Sequence, residues 1–443
     1  MLLTCDGEGV GMKSIGRLGI AVAILITYGT AHAAIWYVHP DSTLNSIQIA
    51  LNSCSTNDTV LVATGIYYEN LIWPTLAGIK LLSESGPDST TIDGDSTTRI
   101  ITMPGSFIVD SNTIVEGFTL RNGVSNSGGA IYCFHASPKI MNNRIINNCA
   151  SGGGGAICSH NANLIIVGNT ISDNNAQFGG GIYLTTEDKG TESLTVNYRI
   201  LSLIFNNTIT NNQAYLGGGI FWYNEWFRNV EANIITNNHA AHGGGMFCIY
   251  AEGCTLFNNT ITDNSADSIG GGLYLVDYND NITCNTIAGN DAGVLAGGIY
   301  KEFYGYPLTI SYNNIYNNGY ALFNANSSQI PIDAENNWWG DSTGPYHPTI
   351  NPGGLGDSVS DYVDFIPWLY WPIGVEGQPI VKSVEKHCNM GATVFSGPLQ
   401  LPKGHKCKVF DITGRLVEPN RIRAGIYFIE IDGQIQKKVV KIR

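Results

Sequence analysis

Charge is scarce in this chain. Asp, Glu, Lys and Arg together make 13% of 443 residues, and the acidic side chains outnumber the basic ones by 36 to 23. A net charge of −13 excludes the basic patches that nucleic acid and anionic membranes select. No Cys-x-x-Cys occurs, so the ten cysteines suggest no metal knuckle or redox pair. Cys5 precedes a processing site, and the remaining set (Cys54, Cys133, Cys149, Cys158, Cys248, Cys254, Cys284, Cys388, Cys407) is odd, which points mainly to buried thiols. Long hydrophobic runs are missing after residue 33, so nothing there spans a bilayer and the protein is not expected to be an integral membrane protein. Helical periodicity is missing from most of the chain as well.

The one apolar run, LGIAVAILI (18–26), follows Lys13 and Arg17 and precedes Ala-His-Ala (31–33). That is the layout of a signal peptide, with the mature chain starting near Ala34 and an extracellular or cell-surface destination after export. What the chain has in plenty is glycine, 53 residues, and asparagine in a repeated phrase. Anchors on N-x-I fall at Asn143, Asn169, Asn207, Asn233, Asn259 and Asn285, in steps of 26, 38, 26, 26 and 26. The apolar residue after each glycine run gives Ile131, Ile157, Ile182, Ile220, Met246, Leu273 and Ile299, in steps of 26, 25, 38, 26, 27 and 26. Both markers jump together, which places a twelve-residue insertion within 185–202.

A period near 26, written in three- to five-residue apolar runs between Gly and Asn turns, fits one coil of a parallel β-helix. Residues one period apart then stack at ~4.8 Å, and ten to twelve coils make a rod on the order of 50–60 Å long. Stacked side-chain amides form ladders. One column is Asn143, Asn169, Asn207, Asn233, Asn259 and Asn285; a second lies five residues on, from Asn148 to Asn290, with the Ile after each first-column Asn pointing inward. Leu44, Ile47 and Leu51 have helical spacing, with Ser42 or Thr43 as N-cap, and would cover the first coil. NNWWGDSTGPYHP (336–348) and VDFIPWLYWP (363–372) would cover the last. After a linker (372–396), residues 397–443 alternate as a small antiparallel β-sandwich.

The stretch IWYVHPDSTLNSIQIALNSCSTNDTVLVATGIYYEN (35–70) resembles the opening of right-handed parallel β-helix proteins of the pectate-lyase-like superfamily, and NNWWG with Gly344-Pro345 resembles their final coil. The tail, with Val409-Phe410-Asp411, Gly414-Arg415, Gly425-Ile426-Tyr427-Phe428 and the closing Lys437 to Arg443, resembles the C-terminal sorting domain of type IX secretion cargo. That second resemblance implies the outer-membrane secretion machinery as a partner. The domain reading is therefore signal 1–33, β-helix 34–371, linker, and sorting module 397–443. The β-helix scaffold hosts lyases, hydrolases, epimerases and adhesins, so it leaves function open.

Polygalacturonase and pectate-lyase motifs are absent. His239-Ala-Ala-His242 is expected to be a turn without a third metal ligand, so no metal site is expected. The segments after each G-G-x-I-Y are the least repetitive and share one phase: TEDKGTE (186–192), WYNEWFRNVE (222–231), CIYAEG (248–253), LVDYNDN (275–281) and KEFYGY (301–306). Here Trp222, Tyr223, Trp226, Tyr250 and Tyr278 could stack on sugars, while Glu252, Asp280, Lys301 and Glu302 supply charge. The expectation is a polysaccharide or cell-surface glycan bound on this loop face. The alternative is a lyase or hydrolase using Glu225 and Asp277 as carboxylates and Arg228 as the basic group, with Ca²⁺ if a lyase. A purely structural or adhesive rod is the third reading. The outward Thr208/Thr210 and Thr260/Thr262 pairs resemble ice-binding solenoids, but Arg144, Ile234 and Ala288 interrupt the array.

Overall fold

The computed structural model describes residues 33–105, 107–186, 202–224, 229–251, 254–278, 281–302, 308–325, 330–374, 393–395, 399, 401, 406–411, 416–422, 425–431 and 434–441. They form a parallel β-solenoid. The middle coils visit four sheets in turn, as in Leu203–Phe205, Thr208–Thr210, Gln213–Leu216 and Ile220–Tyr223, while the other coils lack a strand of the third. The first sheet has 13 strands, the second 10, the short third 4, and the fourth 12. Strand pairing is parallel throughout the solenoid and keeps the period: Ile145 lies beside Ile171, Ile171 beside Ile209, and Ile209 beside Ile235. The 38-residue step stays in register because Thr170 pairs with Thr208, so the insertion leaves the stack undisturbed.

Why the chain writes Asn twice is answered at the corners. The first Asn of each pair adopts the left-handed region, with φ of 52° at Asn142, 55° at Asn147, 54° at Asn206, 55° at Asn211 and 54° at Asn237. Among non-glycine residues, Asn and Asp tolerate that conformation best. The second Asn enters the ladder. Asn259 Nδ2 donates to Asn285 Oδ1 at 3.0 Å and to the Val230 carbonyl at 2.8 Å, while its backbone N–H donates to the same Asn285 Oδ1 at 2.8 Å. Both columns repeat this pattern. The first continues past Asn285 to Asn313 and Asn337, so NNWWG is one more coil written with different letters. The second ends when the Asn318 backbone N–H and Nδ2 donate to Asp357 at 2.7 and 3.3 Å. Every ladder amide from Asn143 to Asn337 is buried, and its hydrogen bonds offset the cost of that burial.

Inside, Ile, Leu and Val columns make one continuous core. At the bend between the third and fourth sheets, Gly217 has φ 66°, and a Cβ on Gly218 would lie 2.4 Å from the Gly244 carbonyl oxygen. No side chain fits there, which is why the glycine run recurs.

The helix at the first coil is Ile47–Ser53, shorter than its apolar spacing suggests. Its N-cap is Ser46, not Ser42 or Thr43. Glu69 of the next coil accepts from the Ile47 and Gln48 backbone N–H groups at 2.8 and 2.9 Å and so fixes the start. At the other end Trp339 and Phe365 are buried and Trp368 packs against the core. Near the C-terminus the described residues form a single five-stranded sheet around Val409, Ile422, Tyr427 and Ile429. Its strands are antiparallel except Thr393–Phe395, which runs parallel to Gln434–Lys441.

Candidate functional site

The fourth sheet separates the expected ligand residues by parity. Trp222, Cys248, Leu275 and Lys301 are Cα partners in consecutive coils, and all four are buried. Trp222 was expected to face a ligand. Instead it is fully enclosed in the core, because alternation along Ile220–Tyr223 turns it inward. Lys301 occupies the same inward column, 2% exposed, with Nζ donating to the Glu302 carbonyl at 3.3 Å. Burial brings its ammonium down to about 8, and the Asp277 carboxylate opposes that shift.

The outward column one residue on holds Tyr223, Ile249, Val276 and Glu302. After it the chain turns through a left-handed corner, with φ of 53° at Asn224, 53° at Tyr250 and 48° at Asp277. Of the three, Tyr250 carries strain there, since Asn and Asp tolerate that region best. Tyr223 and Tyr250 are 38% and 48% exposed and meet edge to face at 6.1 Å. Beside them Asp277 has one carboxylate oxygen, Oδ1, enclosed without a hydrogen-bond donor among the described residues. Burial raises its carboxyl above the usual range, against the pull of Lys301. Glu302 accepts a hydrogen bond from the Tyr274 hydroxyl, and burial together with that carboxylate pushes the phenol up.

The structure therefore brings Tyr223, Tyr250, Asp277, Lys301 and Glu302 to one corner. Tyr278 continues the same strand. Glu225, Trp226, Arg228, Glu252 and Asp280 lie outside the described residues.

One feature of this face is absent from the expectations above. Tyr183, Phe221, Phe247, Tyr274, Tyr300 and Phe323 form an outer aromatic column with neighbouring centroids 5.4, 5.3, 4.4, 5.0 and 5.7 Å apart. From Tyr183 to Tyr300 it is legible as the aromatic residue that follows the apolar residue after each glycine run. Phe178, Leu216 and Ile269 of the third-sheet side pack against it, and Phe221, Phe247 and Tyr274 are buried. That column stabilises the bend; Tyr223 and Tyr250 are the rings that reach solvent.

His239 and His242 also depart from expectation. They belong to the strand His239–His242 of the third sheet and not to a turn, and the His242 ring meets Tyr215 and Tyr274 edge-on, each at 6.0 Å.

A coiled, parallel, all-β chain with two buried amide ladders and an open corner of tyrosines and carboxylates is a right-handed β-helix protein. The match is closer than the architecture alone: residues 51–353 fit the model for NosD, periplasmic copper-binding protein, and the chain belongs to that family. Among solved structures, the A-module of mannuronan C-5 epimerase AlgE6 from Azotobacter vinelandii is similar, at 15% identity over 72% of this chain and 93% of that chain, with a TM-score of 0.36. No curated protein matches the chain.

The family description invites a test of the ligands present. Among the described residues no group of three or more His, Cys, Asp or Glu side chains is placed to hold a metal. The softest pair, Cys133 Sγ and Met103 Sδ at 3.9 Å, is buried, and burial drives the Cys133 thiol far up, away from the thiolate a metal needs. The described residues do not fit a copper site. No helix among them is long and apolar enough to cross a membrane.

Proposed function

We propose that this is an exported β-helix protein, periplasmic or held at the cell surface, that binds a glycan chain at the open corner of its fourth sheet. The observation that carries the reading is the Tyr223–Tyr250 pair, two exposed rings in edge-to-face contact on adjacent coils, next to the partly enclosed Asp277. Exposed aromatic faces beside a few convergent polar groups are what sugar rings stack on and bond to. The signal-like start and the periplasmic character of the family support export. The tail at 397–443 serves, in this reading, as the handle for outer-membrane secretion.

Affinity electrophoresis in gels containing neutral and acidic polysaccharides tests the binding. At least one polymer should retard the protein, and the Tyr223→Ala/Tyr250→Ala double variant should migrate freely. If no polymer retards the wild type, or the double variant is retarded equally, the reading fails. Newly formed reducing ends or unsaturated sugars with a retarding polymer would replace the binder with an enzyme. Export is tested separately: a chain lacking 397–443 should remain in the periplasm, and its normal appearance outside the cell would remove the sorting role.

A further inference from the structure

A second cluster lies on the third sheet, away from the tyrosine corner. His239 Nδ1 is 3.0 Å from Ser265 Oγ, and His239 Nε2 is 3.5 Å from Asp267 Oδ1. Ser265 is placed by register, since it is the Cα partner of His239 in the next coil. Asp267 is placed by an irregularity. Ala240 pairs with Ala266, but His242 pairs with Ile269, so the strand Ser265–Ile269 carries one residue more than His239–His242. This bulge is the 27-residue step from Met246 to Leu273 in the sequence. Bulges re-aim side chains and recur beside active sites. Here one imidazole is bracketed by a hydroxyl and a carboxylate from the same neighbouring strand. In the tautomer that carries its proton on Nε2, which lies 3.5 Å from Asp267 Oδ1, the Nδ1 lone pair faces the Ser265 O–H; the two ring nitrogens are exchanged relative to the familiar triad, but the division of labour is the one that activates a serine.

We propose that Ser265 is a nucleophile activated by His239 and oriented through Asp267, and that the protein removes ester-linked acyl groups from a polysaccharide. The substrate class rests on the glycan reading above and on openness. The His239 and Asp267 side chains are 41% and 69% exposed, so the cluster encloses no small metabolite but can meet an acyl group carried on a polymer lying across the sheet. In the first step Ser265 Oγ bonds to the acyl carbon and its proton passes to His239 Nδ1. The bond from the acyl carbon to the glycan oxygen then breaks, and that oxygen leaves with the proton. Water then bonds to the acyl carbon while giving a proton to His239, the bond from the acyl carbon to Ser265 Oγ breaks, and His239 returns the proton to Oγ as the carboxylic acid leaves.

The test is fluorophosphonate labelling of the purified full-length protein, mapped by peptide mass spectrometry. This readout does not depend on any glycan. The expected result is an adduct on Ser265 in the folded protein, absent from Ser265→Ala and slowed about 10²-fold or more in His239→Ala. Asp267→Asn should slow labelling, and Asp267→Glu should restore it, which a merely structural carboxylate would not do. Acetate release from an O-acetylated polysaccharide by wild type and not by Ser265→Ala completes the case. The proposal is overturned if Ser265 carries no adduct, if labelling is as fast in His239→Ala or in heat-unfolded protein, or if an adduct forms while no acylated polymer yields acid. Labelling that survives in the Tyr223→Ala/Tyr250→Ala variant while its glycan retardation is lost separates the two proposals.

Discussion

Two faces of the same coil follow opposite rules. At the corners around the second sheet the pattern repeats with few exceptions: a left-handed residue, most often Asn, Asp or Gly, then a ladder Asn, then an inward Ile. At the far corner of the fourth sheet the corresponding positions are Asn224, Tyr250 and Asp277, three residues of different chemistry in the same backbone conformation. Repetition marks places where each coil must satisfy the buried groups of its neighbour. Variation marks places where the backbone is fixed by the stack and the side chain is released from that duty. Specific chemistry belongs on the second kind of corner.

The largest effect should come from breaking the repetitive side. In Asn259→Ala the backbone N–H and Nδ2 of Asn233 lose their acceptor and stay buried. The expected cost is about 3–5 kcal/mol in urea unfolding, because the variant orphans donors instead of removing a whole pair. A loss under about 1 kcal/mol would show that the ladder is decorative.

The irregular corner should respond to pH instead. Lys301 releases its proton at about 8 in the folded chain and at about 10.4 when unfolded. Between those values the unfolded state binds more protons, so stability rises with pH by about 2–3 kcal/mol. Lys301→Met should abolish that rise, read as the pH dependence of the urea midpoint from pH 7 to 10.

A smaller effect sharpens the corner rule itself. Ala232 and Tyr312 hold φ of 53° and 57° where most coils have Asn, Asp or Gly. Ala232→Gly should raise stability by about 1 kcal/mol in thermal unfolding, since it relieves a left-handed Ala. The smallest effect is expected for the Tyr223→Ala/Tyr250→Ala double variant. Its stability should move by about 0.5 kcal/mol at most while glycan retardation disappears.

The fold was legible because its physics is periodic. Asn pairs, glycine runs and single inward Ile residues recur in steps the eye can count, and neither the insertion nor the 27-residue coil destroys the count. Candidate sites were harder to read because they depend on parity and on single-residue irregularities. WYNE looks like two aromatic contacts, yet alternation sends Trp222 into the core and Tyr223 to solvent, and nothing local to those letters says which. Lys301 reads as a surface charge until its column is seen to point inward. The Ser265–His239–Asp267 cluster was hidden for the converse reason. Its signal was one surplus residue in a step of 27, visible in the sequence but meaningless until strand pairing shows where that residue is accommodated.

The ladders also have a direction. In the amide-to-amide bonds each Asn donates to the Asn of the later coil, and the second column closes when Asn318 donates to the Asp357 carboxylate. The array therefore has a built-in terminator. A chain cut after any internal coil would expose a fresh row of unmet donors, whereas whole coils duplicated between Asn143 and Asn290 would find partners on both sides. The geometry accommodates an added internal coil more readily than the loss of the terminal one.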